Sequence, residues 1–269
     1  MKEKDKSFDH LGPLFVKLVE IVARLRAPDG CPWDRKQTPE SLKKYVLEEA
    51  YEVSEAIDHH EPLLVCEEIG DLLFLLIFLA YLYEEAGNFH LADVLTLCAE
   101  KMIRRHPHVF GEKKLAEAED VIKQWQSIKE KETLEKGQAS SALGNLPKNL
   151  PALQRAFRLG ERASRVGFDW KDPQDLFPKI EEEIKELLQA LSQGEKSRIF
   201  EEIGDLLFTI ANFSRKLGIN PEEALKAANE KFEKRFRKME SRLKGLGKDL
   251  KETPLSEMDA LWEEIKKGG

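Results

Sequence analysis

Apolar residues recur along the chain at spacings of three and four, and alternating Val, Ile and Thr runs are scarce. That period predicts helices rather than strands. A first helix is expected over about 13–25, ahead of the turn-rich Ala27-Pro28-Asp29-Gly30-Cys31-Pro32. Thr38 can cap a second helix, with Pro39 in its first turn. A third starts at Glu61-Pro62, carries the apolar run Leu72–Tyr83 and stops at Gly87-Asn88. Two more are expected over 91–105 and 115–135. The small, polar stretch Gly137–Asn145, followed by Pro147 and Pro151, reads as an interdomain linker. The domains are therefore set at 8–135 and 151–269, with the linker at 136–150.

Past the linker the same order of signals returns. Glu67-Glu68-Ile69-Gly70-Asp71-Leu72-Leu73-Phe74 recurs unchanged 134 residues on, as Glu201-Glu202-Ile203-Gly204-Asp205-Leu206-Leu207-Phe208. At the same offset Glu48-Glu49-Ala50-Tyr51-Glu52 meets Glu182-Glu183-Ile184-Lys185-Glu186, an EExxE in each half. Glu100-Lys101-Met102 with Arg105 matches Glu230-Lys231-Phe232 with Arg235, and Trp125 matches Trp262. Upstream, Trp33-Asp34 matches Phe168-Asp169. The repeat is domain-sized, so the expectation is an all-α chain of two tandem domains from an internal duplication.

Composition narrows the function. The 269 residues carry 43 Lys+Arg against 50 Asp+Glu, a net charge of −7, which argues against a general nucleic-acid binder. The longest apolar run, 12 residues, is short of the ~20 that span a membrane. The segment MKEKDKSFDHLG has no apolar core of a signal peptide. Three cysteines with no CxxC spacing fit neither a disulfide scaffold nor a Cys-based zinc site. A cytoplasmic protein without nucleic-acid or membrane partners is expected.

Acidic residues fill about one position in five, so a lone ExxE arises by chance and reads as a solvated helix face. The ExxD pairs differ in their surroundings. Glu68 and Asp71 run into a segment apolar on every face, as do Glu202 and Asp205. Such a helix is expected to be buried, and carboxylates at its buried end need cations or metal. Residues three apart on a helix project ~60° from one another, so each pair presents two carboxylates to one side. Two such helices packed antiparallel give four oxygen ligands per domain. Without histidine or cysteine the cluster selects a hard cation, Mg²⁺ or Mn²⁺. Di-iron bundles need Glu-x-x-His, and no histidine here lies three residues after a glutamate. Mg²⁺ shares its coordination with substrate phosphates, which points to a polyphosphate. Lys101 with Arg105, and Lys231 with Arg235, are i,i+4 pairs able to reach one anion. His106 and His108 read as structural residues at a helix end, and Trp125 and Trp262 as packing residues.

Taken in order, Gly30-Cys31-Pro32-Trp33-Asp34, both EExxE…ExxD sets, Arg104 to Phe110, and Asn229-Glu230-Lys231-Phe232 with Arg235-Phe236 resemble the MazG family of nucleoside triphosphate pyrophosphohydrolases. The resemblance covers nearly the whole chain. It implies bundles completed by two protomers, and cleavage of NTP to NMP and pyrophosphate over a broad NTP and dNTP range. It further implies metal ligands at Glu183, Glu186, Glu202 and Asp205, and nucleotide contacts at Lys179, Arg198, Asn229, Lys231, Arg235 and Trp262. The first half offers Glu49, Glu52, Glu68 and Asp71 as ligands, with Lys101, Arg104, Arg105 and Lys129 as contacts. It departs at Tyr45, Leu64 and Ala99, where Lys179, Arg198 and Asn229 would align. The C-terminal half is therefore expected to carry the main site. Glu182 and Glu48 are candidates to orient the attacking water, and Lys231 and Arg235 to stabilise departing pyrophosphate. Clearance of aberrant or stress nucleotides is the family-level role. The competing reading is a non-catalytic, nucleotide-sensing or partner-binding helical module with a structural metal.

Overall fold

A computed structural model describes residues 9–112, 114–115, 117–135 and 141–267. The expected first residue of the N-terminal domain, Phe8, residues 136–140 of the expected linker and the last two glycines lie outside the described residues. Every regular element among the described residues is helical. The chain divides into two compact units, Met1–Glu132 and Thr133–Gly269.

In the first unit, α1 spans Leu11–Arg26, α2 Pro39–Asp58, α3 Pro62–Glu85, α4 Leu91–Arg105, the single turn α5 Pro107–Phe110, and α6 Ala118–Glu135, whose last residues cross the division. The start of α2 follows from its sequence. The Thr38 hydroxyl accepts the Ser41 amide at 3.2 Å while Ser41 Oγ accepts the Thr38 amide at 2.9 Å, and Pro39 sets the first turn. α3 ends at Gly87, whose φ of +72° suits a residue without a side chain. Three residues join α2 to α3, and the two pack along their length as an antiparallel hairpin. α1 and α4 pack on α3, around a core of Val22, Leu42, Ile77, Phe78 and Leu82.

The second unit repeats the plan. α7 spans Ala152–Ser164, α8 Phe177–Gln193, α9 Lys196–Lys216, α10 Pro221–Gly245 and α11 Leu255–Lys267. Gly194, at φ +70°, turns α8 into α9 within two residues. α7 lies against α9 at Gly160, where a Cβ would fall 1.9 Å from Asn212 Oδ1. That close approach fixes a glycine in mid-helix. Met239, Leu243 and Ile265 form the α10–α11 core, with Phe236 and Trp262 against it. The described end of the expected linker is fastened to α7: Arg155 donates to the carbonyls of Leu146 and Pro147, and Arg162 to that of Leu143.

The expected burial of the apolar helices is only half met within one chain. Ile69, Leu73 and Leu76 stand 40–51% exposed on α3, and Ile203, Leu207 and Ile210 stand 40–52% exposed on α9. The two trios sit at identical repeat positions, spaced i, i+4, i+7, and each therefore forms one stripe.

Candidate metal and phosphate sites

Each hairpin aligns its acidic residues because EExxE ends about two turns before the bend and ExxD begins about two turns after it. In the first unit Glu49, Glu68 and Asp71 bring carboxylate oxygens within 4.8 Å of one another. Glu49 Oε2 is buried without a hydrogen-bond partner. Burial pushes the Glu49 carboxyl above the usual carboxylate range, helped by Glu52, Asp71, Glu68 and Glu48. Glu68 is raised likewise, by desolvation first and then by Glu52, Glu67 and Asp71, with a hydrogen bond to Glu52. Glu52 thus joins the cluster through Glu68, outside the tight trio.

In the second unit Glu183, Glu186 and Glu202 converge in the same way, with Glu183 and Glu202 buried. Here the carboxylates have cations beside them. Lys179 Nζ lies 3.0 Å from Glu183 and 3.1 Å from Glu182, and Arg198 Nε lies 3.5 Å from Glu202. The hydrogen bonds to Glu183 and Glu182 hold the Lys179 ammonium well above the usual lysine range. Asp205 is exposed and lies outside the trio.

The donor sets fit a divalent cation. Oxygens on opposite sides of Mg²⁺ stand ~4.2 Å apart, given bonds of ~2.1 Å, so trios within 4.8 Å need only slight contraction. The partnerless Glu49 oxygen and the raised carboxyls in the first unit express the same demand for positive charge. Neither trio includes histidine or cysteine, as a hard cation requires.

The expected phosphate-side cations lie on α4 and α10. Among the described residues no ion pair joins Lys101, Arg104, Arg105, Lys231 or Arg235 to a trio. Arg104 and Arg105 instead share Glu132 of α6, at 2.8 and 2.6 Å. No hydrogen bond or ion pair engages Lys231 among the described residues. Arg235 acts only at range on Glu263, whose carboxyl is lowered chiefly by Lys266. Asn229, Lys231 and Lys129 are exposed, as are Glu48 and Glu182. His106 closes α4, its Nδ1 2.6 Å from the Met102 carbonyl and its ring edge-on to Trp125, the helix-end role expected. Trp262 packs 5.2 Å from the Phe232 ring.

Sequence reasoning missed the ties of the loop before each hairpin. Arg26 donates to the carbonyls of Asp34 and Gln37 and pairs with Glu85, fixing the Trp33-Asp34 loop. The matching Asp169 is gripped by Arg215 and Lys216. The Trp33-Asp34 and Phe168-Asp169 match was the only signal, and it named no partner.

A titration prediction follows from the first unit. Folded Glu49 and Glu68 keep protons to higher pH than in the unfolded chain, where a carboxyl titrates near 4.5. The metal-free fold therefore binds more protons and loses stability as pH rises through the raised values. Saturating Mg²⁺ or Mn²⁺ should raise the unfolding midpoint by several degrees at pH 7. The gain should shrink toward pH 4, and Glu49→Gln should remove part of it. Thermal melts with equal gains at both pH values would contradict this.

Fold and sites together define an all-helical protein with a duplicated carboxylate hairpin that calls for a cation. A family model for the MazG nucleotide pyrophosphohydrolase domain matches residues 37–110 and 171–239, spanning both hairpins. The nucleoside triphosphate pyrophosphohydrolase/pyrophosphatase MazG of Thermotoga maritima is 48% identical over 257 residues, covering 96% of this chain and 97% of that protein. The nucleoside triphosphate pyrophosphohydrolase of Escherichia coli K12 is 39% identical over 254 residues, covering 93% and 96%. The crystal structure of a mazG-related protein from Thermotoga maritima covers 42% of this chain and 96% of its own, at 30% identity and a TM-score of 0.38. The chain belongs to the MazG nucleotide pyrophosphohydrolase family.

Proposed function

We propose that this chain hydrolyses nucleoside triphosphates to the monophosphate and pyrophosphate, with Mg²⁺ held at Glu183, Glu186 and Glu202 and approached by Asp205. Glu49, Glu68 and Asp71, with Glu52, form the corresponding N-terminal set. The observation that carries the reading is the convergence of buried carboxylates on a hairpin that recurs in both halves. When bound, Mg²⁺ supplies charge to the phosphates and acidifies a coordinated water. Glu182, exposed beside the C-terminal trio and paired to Lys179, takes the proton of the attacking water, and Glu48 is its N-terminal counterpart. Lys179 and Arg198 lie beside the trio carboxylates, where they would meet the phosphates of the nucleotide. Lys231 and Arg235 receive the charge that develops on departing pyrophosphate. Asn229 and Trp262 border the nucleotide in the C-terminal half, as Lys101, Arg104, Arg105 and Lys129 do in the first.

The substrate range is broad across NTPs and dNTPs, consistent with clearance of aberrant or stress nucleotides. The domains run over 8–135 and 151–269, joined through 136–150. No described helix is long and apolar enough to cross a membrane, and Cys31, Cys66 and Cys98 are free, which suits a reducing cytoplasm. A panel of purified NTPs and dNTPs with Mg²⁺ tests the reading. Binding without turnover would return the protein to a non-catalytic, nucleotide-sensing module.

The functional unit is a homodimer. The repeated stripes Ile69-Leu73-Leu76 and Ile203-Leu207-Ile210 are the support, because a second protomer can cover them. Sedimentation should give a dimer at micromolar concentration. A stable, fully active monomer would contradict it.

A further inference from the structure

The two halves invert one another electrostatically. In the second unit the carboxylates have internal cations, and Lys231 and Arg235 have no bonded anion. In the first unit no cation pairs with the trio carboxylates among the described residues, and the arginines have an internal anion. We infer that Glu132 fills the phosphate-binding place of the N-terminal half, so that an anionic ligand reaches Arg104 and Arg105 only by displacing it. The inference rests on the proposed role of those arginines as phosphate contacts.

The geometry is that of an anion site already occupied. Glu132 Oε1 accepts Arg104 Nε at 2.8 Å, and its Oε2 accepts Arg105 Nη2 at 2.6 Å and Nε at 3.2 Å. Two guanidinium forks thus converge on one carboxylate, and the same forks match a phosphate. Glu132 and Arg105 are mostly enclosed, with side chains 14% and 17% exposed, so the pair is little screened by solvent. Hydrogen bonds from Arg105, then Arg104, lower the Glu132 carboxyl to about 2, which keeps it charged at any pH the enzyme meets.

One carboxylate does not neutralise the cluster. Two arginines against Glu132 leave one positive charge, and Lys101 on the preceding turn of α4 has no bonded partner among the described residues. A pyrophosphate or triphosphate, carrying more charge and more acceptor oxygens, can outcompete the carboxylate. The pairing differs between the halves: among the described residues no carboxylate forms a hydrogen bond or ion pair with Lys231 or Arg235.

The test uses the full chain with Lys231→Ala and Arg235→Ala, so that the α10 cations do not contribute and the change on altering Glu132 reports the N-terminal cations. Inorganic pyrophosphate is titrated calorimetrically, with Mg²⁺ present, into this parent and into the same chain carrying Glu132→Gln. Glu132→Gln keeps the size and one acceptor oxygen, and should tighten pyrophosphate binding about ten-fold and steepen its salt dependence. Adding Arg105→Ala should abolish the gain. Where Glu132→Gln lowers helicity, Glu132→Asp decides, because it keeps the charge but is too short to span both arginines; it too should tighten binding. Unchanged or weaker binding would overturn the inference and leave Glu132 a strut between α4 and α6. Pyrophosphate binding by none of these chains would overturn it as well. Turnover of NTP by the chain with Lys231 and Arg235 intact reports the proposed activity separately, whichever way Glu132 behaves.

Discussion

Replacing Glu202 by alanine is expected to lower NTP turnover by at least ~100-fold, while Glu68→Ala retains a large fraction, each variant checked for unchanged helicity and assembly. Glu202 is buried at the centre of the C-terminal trio, and its loss leaves Glu183 and Glu186 short of one oxygen. It also leaves Arg198 without its carboxylate. Glu68 holds the same repeat position, but the phosphate side of its half is already filled by Glu132. Tyr45 and Leu64 stand there where the other half has Lys179 and Arg198. A triphosphate brings about four negative charges, and cations aimed at it decide turnover more than carboxylate count does. Equal losses would mean that the halves act as one cooperative unit, and the reverse order would place catalysis in the first half.

The second large effect belongs to the cations of α10. Lys231→Ala and Arg235→Ala should each reduce kcat by ~100- to 1,000-fold, the range for removing one oriented donor at a developing charge. The loss should fall on kcat more than on KM, because the charge on pyrophosphate grows as the bond to the α-phosphorus breaks. Lys101→Ala should cost much less. Lys231 and Arg235 enter the reaction without surrendering an existing ion pair, whereas Arg104 and Arg105 must first leave Glu132. Losses confined to KM would assign the α10 cations to ground-state binding alone.

Much of this was legible in the sequence because helices encode their own geometry. Thr38-Pro39 and Glu61-Pro62 mark helix starts through local chemistry, and both starts stand where expected. The hairpins were legible because ExxE and ExxD spacings carry their own angle, and a short bend sets their level. Side-chain pairing across elements was not legible. Glu132 reaches Arg104 and Arg105 from 28 and 27 residues away, and no periodicity names that partner. Lys179 and Arg198 are expected to face the nucleotide, and the sequence does not name the carboxylates they pair with, Glu183 and Glu202 on their own helices. An i,i+4 spacing places opposite charges on one helix face, within reach of one another. Four carboxylates are expected in each half, and three of each set lie within 4.8 Å of one another, with Glu52 and Asp205 beyond that distance.

The duplication therefore preserved the cation-demanding hairpin and reversed the charge around it. Among the described residues the second half pairs its carboxylates with Lys179 and Arg198 and leaves Lys231 and Arg235 without an ion pair, whereas the first pairs Arg104 and Arg105 with Glu132. This division explains why two copies of one motif need not repeat one activity. Lys231 and Arg235 lie in the C-terminal half, where we propose that cleavage between the α- and β-phosphates takes place.

Hydrolysis of ATP in water enriched with heavy oxygen, with products read by mass spectrometry, tests that assignment most directly. The account predicts AMP and pyrophosphate as products, with the heavy atom in the AMP phosphate and none in pyrophosphate. Label in pyrophosphate, or release of ADP with orthophosphate, would contradict it.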